Sequence, residues 1–162
     1  MTAGQYLTFL IDGDEYAVSI LRVREIIEYE DVTRVPTTPP HVRGVIDLRG
    51  TVLPVIDLGV KFGRSQRSPD RTTCIVIVET RFQSAGVTVG VIADSVSEVI
   101  DLERGSIERA PAMGDGIPVE FLHGLARFNG RLALVLNPDT FLSQAELPEA
   151  LAARSQSPVA AG

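Results

Sequence analysis

Residues 42–57, VRGVIDLRGTVLPVID, align without a gap to residues 122–137, LHGLARFNGRLALVLN. Gly44 falls on Gly124, Gly50 on Gly130 and Val55 on Val135. Earlier in each half, Val23-Arg-Glu-Ile-Ile27 matches Val96-Ser-Glu-Val-Ile100, and the extra residues between the second pair of blocks fall in the Ala112–Pro118 stretch. An internal repeat means two copies of one supersecondary unit, so positions that both copies keep are scaffold. Arg49 is not kept, since its counterpart is Asn129. A residue that one copy carries and the other drops is the first place to look for function.

Most apolar segments are short, β-branched and bounded by turn residues, the pattern of an all-β chain. Gln5–Ile11 and Glu15–Ile20 flank Asp12-Gly13-Asp14. Val45–Leu48 and Thr51–Asp57 flank Arg49-Gly50, and Ala126–Phe128 and Arg131–Leu136 flank Asn129-Gly130. Each is a hairpin signal, because Asp, Asn and Gly tolerate the positive φ of tight turns. Thr73–Glu79, Val87–Ala93 and Glu98–Leu102 complete the predicted strands. Pro54 cannot donate to a ladder, which puts its strand at a sheet edge or leaves it bonded on one side only. Helix is scarce. Ser19 caps a predicted turn or two through Ile20, Val23, Ile26 and Ile27, and Asp94 starts a matching piece before Val96. Asn137 and Pro138 open a predicted C-terminal helix over 138–153.

Two similar sets of about five strands predict two small barrels. Their expected extents are 5–63 and 70–142 within one domain over 5–153, with 154–162 a disordered tail and 63–72 the connector. A unit of about 60 residues buries only a modest core, so the two are expected to share a hydrophobic seam with the chain crossing between them.

Composition narrows function. With 15 Lys and Arg against 21 Asp and Glu, the net charge is −6, the wrong sign for binding driven by phosphate neutralisation. Three Tyr, six Phe and no Trp leave few stacking platforms for single strands, so a small-barrel nucleic-acid binder is disfavoured. No run of 18 apolar residues exists to span a bilayer, and the N-terminus lacks a basic-then-apolar signal layout, so a cytoplasmic location is expected. Cys74, the single cysteine, reads as a buried small hydrophobe. His41 and His123 lack neighbours at metal-ligand spacing. No nucleophile elbow, phosphate loop or dinucleotide fingerprint is present. No cofactor, metal or catalytic residue is expected.

Arg49 heads a Gly-containing hairpin, where its planar guanidinium is exposed and suited to carboxylates or carbonyls. Recognition of a partner and a structural pair with Glu25 stand beside each other, ahead of a third reading in which any polar residue would serve to keep the turn wet. Retention of Glu25 as Glu98 favours a structural role for the glutamate. Val23, Ile26 and Ile27, rimmed by Arg22, Arg24 and Glu28, form an apolar face at the border of core and solvent, as a partner helix would use.

Tyr16-Ala-Val, Val23-Arg-Glu-Ile-Ile27, Val35-Pro36, Val42-Arg-Gly-Val-Ile-Asp-Leu-Arg-Gly50 and Pro54-Val-Ile-Asp-Leu58 resemble the CheW family of bacterial chemotaxis coupling proteins, from about Tyr6 to Phe141. The resemblance implies two intertwined five-stranded SH3-like β-barrels and a non-enzymatic adaptor. It would link chemoreceptor cytoplasmic hairpin tips to the regulatory domain of the histidine kinase CheA, for chemotaxis or a related chemosensory output. The same likeness implies a monomer when free that forms rings in membrane-associated receptor arrays, without inserting in the membrane. It places Val23, Ile27, Glu25 and Arg49 on the receptor surface, and Gly44, Asp47, Thr51, Leu53 and Val55 toward the kinase.

Overall fold

The computed structural model describes residues 4–30, 32–36, 38–82, 85–109 and 119–141. Its strands are β1 (Gly4–Ile11), β2 (Asp14–Ser19), β3 (Val23–Glu28), β4 (Val42–Leu48), β5 (Thr51–Ile56), β6 (Cys74–Phe82), β7 (Ala85–Ala93), β8 (Ser95–Leu102), β9 (Ile107–Glu108), β10 (Leu122–Phe128) and β11 (Arg131–Leu136). Among the described residues there are also one short helix, α1 (Leu58–Lys61), and four single 3-10 turns. The strands form two sheets, β3-β6-β7-β5-β4 and β8-β1-β2-β11-β10-β9.

The sheets do not follow the two halves of the chain. The hairpin β1–β2 from the first half sits between β8 and β11 of the second, and β6–β7 from the second half sits between β3 and β5 of the first. Each copy has given its leading hairpin to the other, so the two units are intertwined. Both sheets then curl until their edges meet. Thr33, just beyond β3, exchanges two backbone hydrogen bonds of 2.9 and 2.8 Å with Val45 on β4. In the other sheet β9, just beyond β8, pairs with β10 through Leu125 and Glu108.

That closure explains the paired glycines. A Cβ on Gly44 would lie 2.2 Å from the Thr33 carbonyl oxygen, and one on Gly124 would lie 2.2 Å from that of Glu108. At both places the closing strand crosses so close to the backbone that no side chain fits.

Three cores result. Ile46, Leu53, Val55, Ile75, Ile77 and Ile92 fill the five-stranded barrel, and Tyr6, Ala17, Ile100, Leu102, Ala126, Ala133 and Val135 fill the other. The largest is the seam between them, where Leu7, Phe9, Ile11, Tyr16 and Val18 of one exchanged hairpin meet Val76, Val78, Val87, Val89 and Val91 of the other. Strand β6 alternates between two cores, Ile75 and Ile77 inward and Val76 and Val78 to the seam, so its sequence reads as one unbroken apolar run. Cys74 is buried in the same wall, and burial pushes its thiol pKa up.

The structure differs from the sequence reading in several places. The helix from Ser19 is one 3-10 turn, Ile20–Arg22, after which Val23–Glu28 is a strand. No helix follows Asp94, which is a bend leading straight into β8. Strand β5 is internal rather than an edge, but its parallel pairing with β7 starts only at Val55, one residue past Pro54. Asn137 does cap the turn Pro138–Thr140, its side chain accepting from the Asp139 N–H. The helix expected onward to 153, the 154–162 tail and the Ala112–Pro118 insertion lie outside the described residues.

A candidate partner-binding surface

The turn at Arg49 is held in an unusual state. Arg49 has φ 53° and Gly50 has φ 88°, the two positive angles of a tight hairpin turn. Asp12-Gly13 and Asn129-Gly130 adopt the same geometry, with φ 50° at Asp12 and 49° at Asn129. Asp and Asn visit this region readily, whereas a long side chain there carries a cost of roughly 1 kcal/mol. The Asp47 carboxylate steadies the turn by accepting the Gly50 N–H at 2.8 Å. The Arg49 guanidinium donates to the Glu25 carboxylate on β3, joining the turn to the opposite edge of the curled sheet. The Arg49 side chain is nevertheless 69% exposed, against 30% for Glu25. This pair contributes to the lining of a depression of about 270 Å³, together with Arg24, Leu48, Thr51, Leu53, Ile77 and Thr88. The two readings of Arg49 are therefore compatible, since one side of the guanidinium is bound and the rest faces solvent.

A β-bulge sets which residues of β3 face outward. The register with β6 shifts between Val23 and Glu25, pairing Val23 with Val78, Glu25 with Ile77, Ile26 with Val76 and Ile27 with Ile75. Val78 and Val76 face the seam while Ile77 and Ile75 face the barrel interior. Val23 and Ile26 thus share one side, and Glu25 and Ile27 the other. Val23 packs against the seam and Ile27 against the barrel core, both partly covered. Ile26 is 42% exposed, the most open apolar side chain on this strand. Leu21, on the turn before β3, is 84% exposed. Sequence reasoning passed over Leu21; an apolar residue between a capping Ser19 and Arg22 was the available signal.

Residues singled out for the kinase side fall into two groups. Asp47 and Thr51 are exposed. Gly44 is buried, and Leu53 and Val55 are 3% and 0% exposed, so their side chains shape the barrel beneath that face without reaching its surface. Among the described residues no three His, Cys, Asp or Glu side chains gather as metal ligands, and no helix is long and apolar enough to cross a membrane. His123 is partly buried, which pushes its imidazole pKa down.

Two interlocked barrels with exposed apolar residues at an edge strand and a charged clasp over one barrel mouth define a class of module that works by presenting surfaces. Comparison places the chain within that class. The CheW-like domain family profile matches residues 5–146. A "Chemotaxis protein CheW" of Klebsiella aerogenes is 35% identical over 147 residues, covering 90% of this chain and 86% of that one. The Helicobacter pylori protein of the same name is 33% identical over 141 residues, covering 86% and 82%. Among solved structures, the scaffolding protein TtCheW from Thermoanaerobacter tengcongensis superposes with a TM-score of 0.78 at 29% identity, covering 88% of this chain and 90% of that one. The chain belongs to the CheW-like domain family.

Proposed function

We propose that the chain is a chemotaxis coupling adaptor, non-enzymatic and cytoplasmic, that joins chemoreceptor hairpin tips to the regulatory domain of the histidine kinase CheA. The observation that carries this reading is the exposed Arg49, kept in a left-handed turn that its counterpart fills with Asn129. A residue retained against local backbone preference points to a task outside the fold. The receptor face comprises Val23, Glu25, Ile27 and Arg49, with Ile26 the most exposed apolar side chain of the same strand. The kinase face comprises Asp47 and Thr51 over a frame formed by Gly44, Leu53 and Val55. An apolar strand edge beside charge suits an amphipathic helical partner. Free, the chain is a monomer, and both faces together allow it to alternate with the kinase domain in rings.

The test is reconstitution with a receptor cytoplasmic fragment and CheA. The adaptor should co-purify with both and raise receptor-dependent kinase autophosphorylation. Failure to bind either partner at micromolar concentration would sink the proposal.

A further inference from the structure

Among the described strands the chain passes between the two sheets at two places, Ser19–Val23 leading from β2 to β3 and Asp94 leading from β7 to β8. The first crossing is thinly supported. Its 3-10 turn contains no buried residue, and it stands between two depressions, one of about 320 Å³ and one of about 180 Å³. Ile20 and Val23 rest partly covered against the seam, and charge ties the crossing from its outer side. Arg22 donates through both Nη atoms to the two carboxylate oxygens of Asp139, at 2.8 and 2.9 Å, and through Nη1 to the Glu79 carbonyl at 3.0 Å. Asp139 also accepts the Arg81 backbone N–H at 2.8 Å. One carboxylate thereby joins three elements: the turn that ends the six-stranded sheet, the crossing, and β6 of the five-stranded sheet. The second crossing repeats the device, since Asp94 accepts the Asp12 N–H at 2.8 Å and pairs with Arg67 at 3.1 Å.

We infer that the Arg22–Asp139 pair is a positioning pin, which fixes the first inter-barrel crossing and with it the presentation of Leu21 and Val23 on either side of Arg22. Its reading as receptor positioning rests on the proposed coupling function; its action on the crossing does not. The side chains are 30% and 34% exposed, and a pair so open to water adds little to overall stability. A two-pronged Arg–carboxylate contact fixes direction as well as distance. The consequence falls on orientation: if the fork opens, the crossing is free to move into either flanking depression, carrying the start of β3 with it.

The full chain should be compared with Arg22→Ala, Arg22→Lys and Asp139→Asn by amide hydrogen exchange, thermal melting, and affinity for a receptor cytoplasmic fragment and for the CheA regulatory domain. Exchange should accelerate at 20–23 and at Arg81 in all three variants, with melting little changed. Receptor affinity should fall roughly tenfold while kinase-domain affinity stays within about twofold. Arg22→Lys keeps the charge without the fork, so restoration of receptor affinity by lysine would overturn orientation as the cause. Unchanged exchange at the crossing would overturn the pin itself, and equal loss of both partners with a lower melting temperature would reduce it to a structural brace. If the wild-type chain binds no receptor fragment, the coupling reading and the receptor role of the pin fall together, while exchange still decides whether the pin holds the crossing.

Discussion

The two barrels close their mouths with the same pair of charges placed differently. In the five-stranded barrel, Arg49 reaches Glu25 from inside the hairpin turn. In the other barrel the turn is Asn129-Gly130, and the arginine has moved to Arg131, the first residue of β11. From there it reaches Glu98, the counterpart of Glu25, at 3.0 Å and Glu15 at 3.3 Å. Arg131 achieves the clasp from ordinary strand backbone. A left-handed arginine is therefore unnecessary for closure, which supports the proposal that the exposed Arg49 also meets a partner. The second clasp serves the fold, and the first is proposed to serve recognition as well.

The largest expected effects test what the barrels share. Gly44→Ala and Gly124→Ala each force a methyl against a carbonyl oxygen 2.2 Å away and should cost on the order of 3 kcal/mol in urea unfolding. Gly44→Ala should be the worse, because its φ of 150° adds backbone strain. Near-neutral behaviour at either position would mean that the closing strands can retreat, and the closed-barrel description would fail there.

Next comes a pair that only the first copy has. Arg43 donates to Asp57 at 2.7 Å and to the Tyr29 hydroxyl at 3.1 Å, with both charged side chains nearly buried, at 13% and 11% exposed. Asp57 also caps α1 by accepting the Val60 N–H. The second copy has His123 and Asn137 at these positions, and Asn137 still caps its turn. Asp57→Ala should cost about 2–4 kcal/mol, since it strands a buried guanidinium and uncaps the helix. Asp57→Asn should cost measurably less by keeping the cap. Equal losses in thermal melts would show that the ion pair dominates and the cap is incidental.

These comparisons also show why part of the architecture was hidden in the sequence. Turn chemistry was legible: Asp12-Gly13, Arg49-Gly50 and Asn129-Gly130 all form the predicted hairpins, because positive φ admits few residues. Strand β3 was misread as helix for a physical reason. A bulge inserts one residue, so Val23 and Ile26, three apart, share a side just as they would on a helix. The same bulge puts Val96 and Val99 on one side of β8, whose register with β1 shifts between Thr8 and Phe9. Exchange of hairpins left no local mark, because β1–β2 and β6–β7 are buried on both faces and their near-continuous apolar runs suit either sheet. Arg22 and Asp139 are 117 residues apart, and nothing local in either segment announces the other.

The clasps themselves yield a smaller contrast. Arg131→Ala leaves Glu15, whose side chain is 11% exposed, without its arginine, and should cost about 1–2 kcal/mol. Arg49→Asn installs the turn residue that the second copy uses. Loss of a largely exposed ion pair is offset by relief of the left-handed arginine, so its midpoint should move by less than about 0.5 kcal/mol in either direction. Receptor-dependent kinase activation should fall nonetheless. A variant that signals normally would remove the recognition role from Arg49, and one that melts like Arg131→Ala would make the two clasps equivalent.

The smallest effect concerns the charge ties that cross the seam, as opposed to those that close a barrel. Hydrogen bonds from Arg22, with a further contribution from the Arg81 N–H, hold the Asp139 carboxyl below its ordinary pKa. A carboxylate depressed in the folded state contributes stability that is present above its unfolded pKa of about 3.9 and is lost as pH falls through the folded value. Melting temperature should therefore decline on acidification below about pH 4, and Asp139→Asn should shallow that decline while changing little at neutral pH. The matching barrel-closing substitution, Arg131→Ala, should instead lower the neutral plateau. If Asp139→Asn follows the wild-type acid limb without change, the seam tie adds nothing to folding, and its effect would then be confined to the orientation of the first crossing.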